Sequence, residues 1–193
     1  ADIQIQRRTI QSYAGRLSDV WTRVRPRLAG AAPVADRGGP ARSRRGGPMT
    51  TVALVSDVHM RDAHAEAVDA ELEAVVRDLA AADPAHVFVL GDLIEDGESA
   101  ARDAANVEAV RERLSSVGVP VTYLLGNHDV ERLDRSRLSD LLGQASFHGV
   151  EDVEGTPFVY LDSPRERGGG PCGEFGAAQR RWLRLRRGLG GDL

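Results

Sequence analysis

Lysine is absent from this 193-residue chain, and all 25 basic residues are arginine. A GC-rich coding sequence would account for that, and an acidic, lysine-free surface also suits a high-salt cytoplasm. Cysteine is nearly absent too. Cys172 stands alone, which excludes an internal disulfide and suits a reducing, cytoplasmic location. No apolar run reaches the roughly 18 residues that a membrane span needs. A secretory leader is not expected either: the twin arginine Arg7–Arg8 is followed by Gln11, Ser12 and Arg16 where an apolar stretch should stand.

Glutamate is missing from residues 1–48, which carry 10 Arg and 3 Asp for a net charge of +7. Residues 49–193 carry 15 Arg against 26 acidic residues, a net of −11. The basic segment is Gly/Pro-rich from Ala31 to Pro48, and only a weak apolar stripe runs from Ile10 to Leu28. It reads as a basic Arg/Gly/Pro-rich segment without regular structure, ahead of a domain over 49–193 that opens at Met49. A basic arm for nucleic acid would interleave aromatics with its arginines, yet only Tyr13 and Trp21 are present. The acidic body would repel phosphate backbones. Neither nucleic acid nor a membrane is expected as a partner.

From Met49 the apolar pattern alternates between two periods. Continuous apolar runs at Thr51–Val55, His86–Leu90 and Val121–Leu125 predict buried strands. Between them, Val68, Leu72, Val75, Val76 and Leu79 line one face of a helix over Ala63–Ala82. Val107, Val110, Leu114 and Val117 line a second over Ala101–Val117. This alternation predicts an α/β fold with a parallel sheet covered on both faces. A short helix over Arg135–Leu142, weaker strands near Ala145–His148 and Pro157–Leu161, and a last helix over Gly176–Leu185 complete the reading.

Open parallel sheets bind ligands at the carboxyl ends of their strands. The first strand is followed by Ser56-Asp57-Val58-His59, the second by Gly91-Asp92-Leu93-Ile94-Glu95-Asp96-Gly97, and the third by Gly126-Asn127-His128-Asp129. Asp92 lies 33 residues after His59 and Asn127 35 after Asp92, one strand–helix–strand step each time. Three turns rich in metal-binding side chains therefore converge on one sheet edge. Carboxylates and imidazoles suit divalent ions of the Mn, Fe or Zn type, and one carboxylate can hold two ions roughly 3.5–4 Å apart. Asp-x-His alone also describes solvated surface, and Gly-Asp alone a turn; the ordered triplet carries the signal.

Taken in that order, the three blocks resemble the calcineurin-like metallophosphoesterase family, from about Thr51 to Leu185. The resemblance implies a sandwich of mixed sheets flanked by helices, of which this chain holds the N-terminal part. It implies two divalent metal ions: Asp57 and His59 bind the first, Asp92 bridges both, and Asn127 binds the second. His128 contacts the phosphate and stabilises or protonates the leaving oxygen, while a metal-bridging hydroxide attacks. The implied substrate is a small phosphate monoester or diester. Asp162-Ser163, Gly173-Glu174, Gln179 and Trp182-Leu183 further resemble enzymes similar to bacterial and archaeal cyclic-nucleotide phosphodiesterases. Asp92 is not followed by the Arg-Gly arrangement of protein Ser/Thr phosphatases, and Gly-Asn-His-Asp replaces their Gly-Asn-His-Glu.

The family pattern continues with further histidine ligands after the Trp-Leu helix, whereas 65 residues separate His128 from Leu193. The domain is therefore expected to be incomplete at its C-terminus. The alternative to a working hydrolase is a catalytically impaired fragment that binds metal or phosphate without turnover. Of the remaining histidines, His64 reads as a helix-start residue and His86 as structural. His148 is the candidate for a substitute ligand, and Cys172 reads as a lone thiol in a Gly-rich loop.

Overall fold

The computed structural model describes residues 3–9, 50–62, 65–166 and 172–189. The elements run in the order β1 (Ile3–Thr9), β2 (Thr50–Ser56), α1 (Ala65–Ala82), β3 (His86–Leu90), α2 (Ala100–Ser115), β4 (Val121–Leu124), α3 (Arg135–Leu142), β5 (Gly149–Val153), β6 (Thr156–Tyr160) and α4 (Ala177–Leu189). Strands β1 to β4 form a parallel sheet in sequential order, and β5 and β6 form an antiparallel hairpin. The result is the mixed α/β arrangement that the sequence predicts. No helix among the described residues is long and apolar enough to cross a membrane.

Period-2 alternation in the strands separates two cores. Ala53, Val55, Val87, Val89 and Tyr123 face Val68, Leu72, Val75 and Leu79 of α1, Val107, Val110 and Leu114 of α2, and Leu138, Leu141 and Leu142 of α3. Val52 and Phe88 face the other way, toward Val153 and Phe158 of the hairpin. Right-handed crossovers that step in one direction across a sheet put their helices on one face. Among the described residues the second face packs against the hairpin and not against helices, a narrower layer than the continuous apolar strands suggest.

Caps and turns fix the element ends. Ser99 accepts from the Arg102 N–H at 3.3 Å, and Asp134 from the Arg137 N–H at 2.8 Å. Each supplies an acceptor to an otherwise unpaired first-turn donor. The boundaries of β3 and α3 match the sequence reading. The weak strand expected at Ala145–His148 is absent, and the strand begins at Gly149 instead. Its partner follows a two-residue turn, Glu154-Gly155, with φ of 51° and 82°, the conformation that matches the twist of a tight hairpin. The polar sequence of β5 (GVEDV) hides it from a search for apolar runs. The expectation that the basic segment lacks regular structure does not hold for Ile3–Thr9, which pair with Thr50–Ser56 in parallel register; residues 10–49 lie outside the described residues.

His86 is buried on the hairpin face, where its Nε2 lies 2.9 Å from the Thr122 hydroxyl and its ring packs on Phe88 with centroids 4.5 Å apart. Burial lowers its pKa, with the Glu151 charge pulling weakly the other way. The folded form therefore resists a proton that the unfolded chain accepts near pH 6.5. Its contribution to stability is present above pH 6.5 and is lost as pH falls from there through the lowered folded value. Urea titrations across this range should show acidification destabilising the wild-type chain more than His86→Phe, the difference between the two being the His86 contribution.

Candidate metal centre

Parallel pairing does not stop where β2 and β3 end. The N–H of Asp57 donates to the Gly91 carbonyl at 3.2 Å, that of His59 to Asp92 at 2.9 Å, and that of Met60 to Leu93 at 3.0 Å. The Glu95 N–H returns to the Met60 carbonyl at 3.0 Å. The two loops thus advance side by side, which fixes Asp57 and His59 against Asp92 and Glu95. The course is strained: Asp57, His59 and Asp92 have φ of 57°, 49° and 51°. That left-handed region costs a non-glycine residue roughly 1–2 kcal/mol, and such strain gathers at functional sites.

A buried carboxylate anchors the third loop to the second. Asp129 is fully buried, and its two oxygens accept from the backbone N–H groups of Asp92 (3.0 Å), Leu93 (2.9 Å), Ile94 (3.3 Å) and Gly126 (2.8 Å). Burial pushes its carboxyl up to about 7; the N–H donors oppose that shift and the Asp92 charge adds to it. Where the ends of β3 and β4 meet there is no room for side chains. A Cβ on Gly91 would collide with the Gly126 backbone, and one on Gly126 with the Asp92 carboxylate and backbone nitrogen.

This scaffold brings two sets of possible ligand atoms together. One atom each from Asp57, His59 and Asp92 lie within 4.8 Å of one another, as do one each from His59, Glu95 and His128. The His59 and His128 rings meet edge to face with centroids 5.1 Å apart. The first set joins two carboxylates and an imidazole, a donor set that suits a divalent transition ion. The residues therefore fit the metal that the sequence implies. Asn127 sits half-buried in the same turn as His128.

His128 is held from two sides. Its backbone N–H donates to Asp92 Oδ1 at 3.2 Å, and its Nδ1 lies 2.7 Å from Asp96 Oδ1. Burial alone would lower its pKa. The Asp96 hydrogen bond and the charges of Asp92, Glu95 and Asp96 outweigh burial and raise it. Arg132 stands 3.5 Å from the other Asp96 oxygen.

The sequence reading quotes Glu95, Asp96 and Asp129 within their blocks without giving them roles. The signal available was their place, in the same strand-end blocks as Asp92 and His128, but spacing alone does not separate a ligand from the group that orients it. His148 belongs to neither set; its ring lies edge-on against Trp182 at 5.3 Å. Cys172 is exposed, and His64 lies outside the described residues. The Asp162–Gln179 stretch has a structural use. The Asp162 N–H donates to Gln179 Oε1 at 2.8 Å, the Gln179 amide returns to the Asp162 carbonyl at 2.7 Å, and the Glu174 N–H donates to Ser163 O at 2.7 Å.

The family model described as calcineurin-like phosphoesterase matches residues 50–179. The chain is 32% identical over 123 residues to Uncharacterized protein YpbG of Bacillus subtilis, a match covering 63% of this chain and 41% of that protein. Its fold is similar to that of a dimetal phosphatase from Danio rerio, with a TM-score of 0.60 and 17% identity over 72% of this chain and 64% of the other. The chain thus spans less than two thirds of either relative. At 17% identity the second likeness shows the fold alone.

Asp129→Asn keeps the shape but leaves one acceptor oxygen for four backbone donors. Chemical denaturation should show a loss of about 2–3 kcal/mol, the scale of a buried charge-assisted hydrogen bond left unmade.

Proposed function

Because the chain belongs to the calcineurin-like phosphoesterase family, whose pattern spans residues 50–179, we propose that it is a metal-dependent phosphoesterase acting on small phosphate monoesters or diesters. The observation that carries this reading is the convergence of Asp57, His59 and Asp92 within 4.8 Å, with His128 beside them. In the same reading residues 49–193 are the phosphoesterase domain, and residues 1–48 are a basic appendage from which Ile3–Thr9 add a strand.

Asp57 and His59 would hold a first divalent ion, Asp92 would be shared, and Asn127 would serve a second. When bound, such ions supply Lewis acidity toward phosphoryl oxygens and lower the pKa of water. The chain's own residues do the rest. Asp129 pins the backbone on both sides of Asp92, so that carboxylate enters the site from a fixed position. Asp96 occupies Nδ1 of His128, which leaves Nε2 to face the leaving oxygen. Without metal, the Asp96 hydrogen bond and the surrounding carboxylates raise the pKa of the ring, and a proton on that nitrogen would be placed to reach the leaving oxygen. Like-charged carboxylates at the mouth would repel a phosphate anion, which makes substrate binding depend on cation occupancy.

The test is hydrolysis of bis(p-nitrophenyl) phosphate and of p-nitrophenyl phosphate, with and without added Mn²⁺. Turnover should require the metal and be abolished in Asp92→Ala, and the ratio of the two rates assigns the ester class. His128→Ala should retain metal binding by calorimetry while kcat falls by about 10²–10⁴-fold, the usual worth of a placed acid. Turnover unaffected by Asp92→Ala would overturn the reading, and metal binding without turnover would support a binding role instead.

A further inference from the structure

The His59 ring lies between two carboxylates. Its Nε2 is 3.9 Å from Asp57 Oδ1, and its Nδ1 is 3.4 Å from Glu95 Oε2. Nδ1 is buried and makes no hydrogen bond, and a polar atom kept from water without a partner costs about 1–3 kcal/mol. The backbone places the acceptor for it. Met60 donates to Leu93 and Glu95 donates back to Met60, both at 3.0 Å, so Glu95 is registered against the residue next to His59. Its carboxylate is already within reach at 3.4 Å, and its side chain is partly exposed, at 39%, which leaves room for it to align with the ring nitrogen. The next residue, Asp96, is already engaged with the other imidazole, His128, at 2.7 Å.

We propose that Glu95 is a positioning residue for His59: its carboxylate accepts the Nδ1–H, fixes the tautomer, and leaves Nε2 as the metal-facing atom on the side of Asp57 and Asp92. Glu95 and Asp96 thereby divide the two imidazoles between them, one oriented toward a cation and one toward the leaving oxygen. An imidazole ligand needs its other nitrogen held in this way, and the holding group also raises its basicity. The other arrangement that the atoms allow makes Glu95 itself a ligand, together with His59 and His128. Of the two His59 nitrogens, however, Nδ1 is the one set 3.4 Å from Glu95 while Nε2 lies toward Asp57, and Asp96 already occupies Nδ1 of His128.

The inference rests on the metal site proposed above, and its test separates the two. Nitrogen-15 shifts of the His59 ring are measured in the metal-free full chain, at a pH where the imidazole is neutral. Zn²⁺ affinity is measured by calorimetry on the same samples. The wild-type chain should show Nδ1–H with Nε2 unprotonated. Glu95→Ala should move His59 toward the Nε2–H form that free imidazoles favour and weaken Zn²⁺ binding by about 10–100-fold, as loss of such a partner does. Glu95→Gln, whose amide oxygen still accepts, should keep the tautomer and restore most of the affinity. An unchanged tautomer in Glu95→Ala overturns the proposal. So does Glu95→Gln binding as weakly as Glu95→Ala, which would make Glu95 a direct ligand. If the wild-type chain binds no Zn²⁺, the metal-site reading fails, and the metal-free tautomers still decide the role of Glu95.

Discussion

The Asp129 carboxylate joins the ends of two strands through four backbone donors, three from the loop after β3 and one from the loop after β4. It has no exposure to water. Each donor belongs to a residue past the end of its strand, and its N–H is held by the carboxylate and not by a neighbouring strand. The position of the Asp92 side chain follows from it, since the N–H groups of Asp92 and Leu93 are both held. The close approach of Gly91 to Gly126 follows as well, because any Cβ there would push the two loops apart.

Strain and restraint are matched across the centre. Three candidate ligands sit in left-handed backbone, a conformation that survives only when neighbouring contacts over-determine it. Those contacts are the hydrogen bonds from Asp57, His59 and Met60 to the carbonyls of Gly91, Asp92 and Leu93. Beneath them, Val58, Leu93 and Ile94 are fully buried in the main core. The apolar residues interleaved with the acidic ones hold the loops down, and the partly exposed polar side chains gather above them.

Among the described residues, negative charge accumulates around these side chains with few cations beside it. Asp57, Asp92, Glu95 and Asp96 surround two imidazoles, and Arg132 reaches only the rim, at Asp96. The raised pKa of His128 is one response to this crowding. A bound divalent ion is another, and it would relieve the repulsion among carboxylates that the backbone leaves no freedom to separate.

The sequence by itself determined the element order from β2 onward, the family and the three strand-end blocks, because apolar periodicity reports burial directly and the blocks follow their strands. It also determined that Asp57, His59, Asp92 and His128 belong to one edge of the sheet, since parallel strands bring all their carboxyl ends to the same side. Only the tertiary structure decided how the neighbouring acids are shared out: Asp129 beneath the loops, Asp96 on His128 and Glu95 beside His59. Those choices turn on distances of an ångström or two set by strained loops, and residue spacing does not encode them. The first strand of the hairpin, Gly149–Val153, and the pairing of Ile3–Thr9 with β2 were hidden for a related reason. Their pairing rests on partners distant in sequence, or on a tight turn, and not on an apolar period of their own.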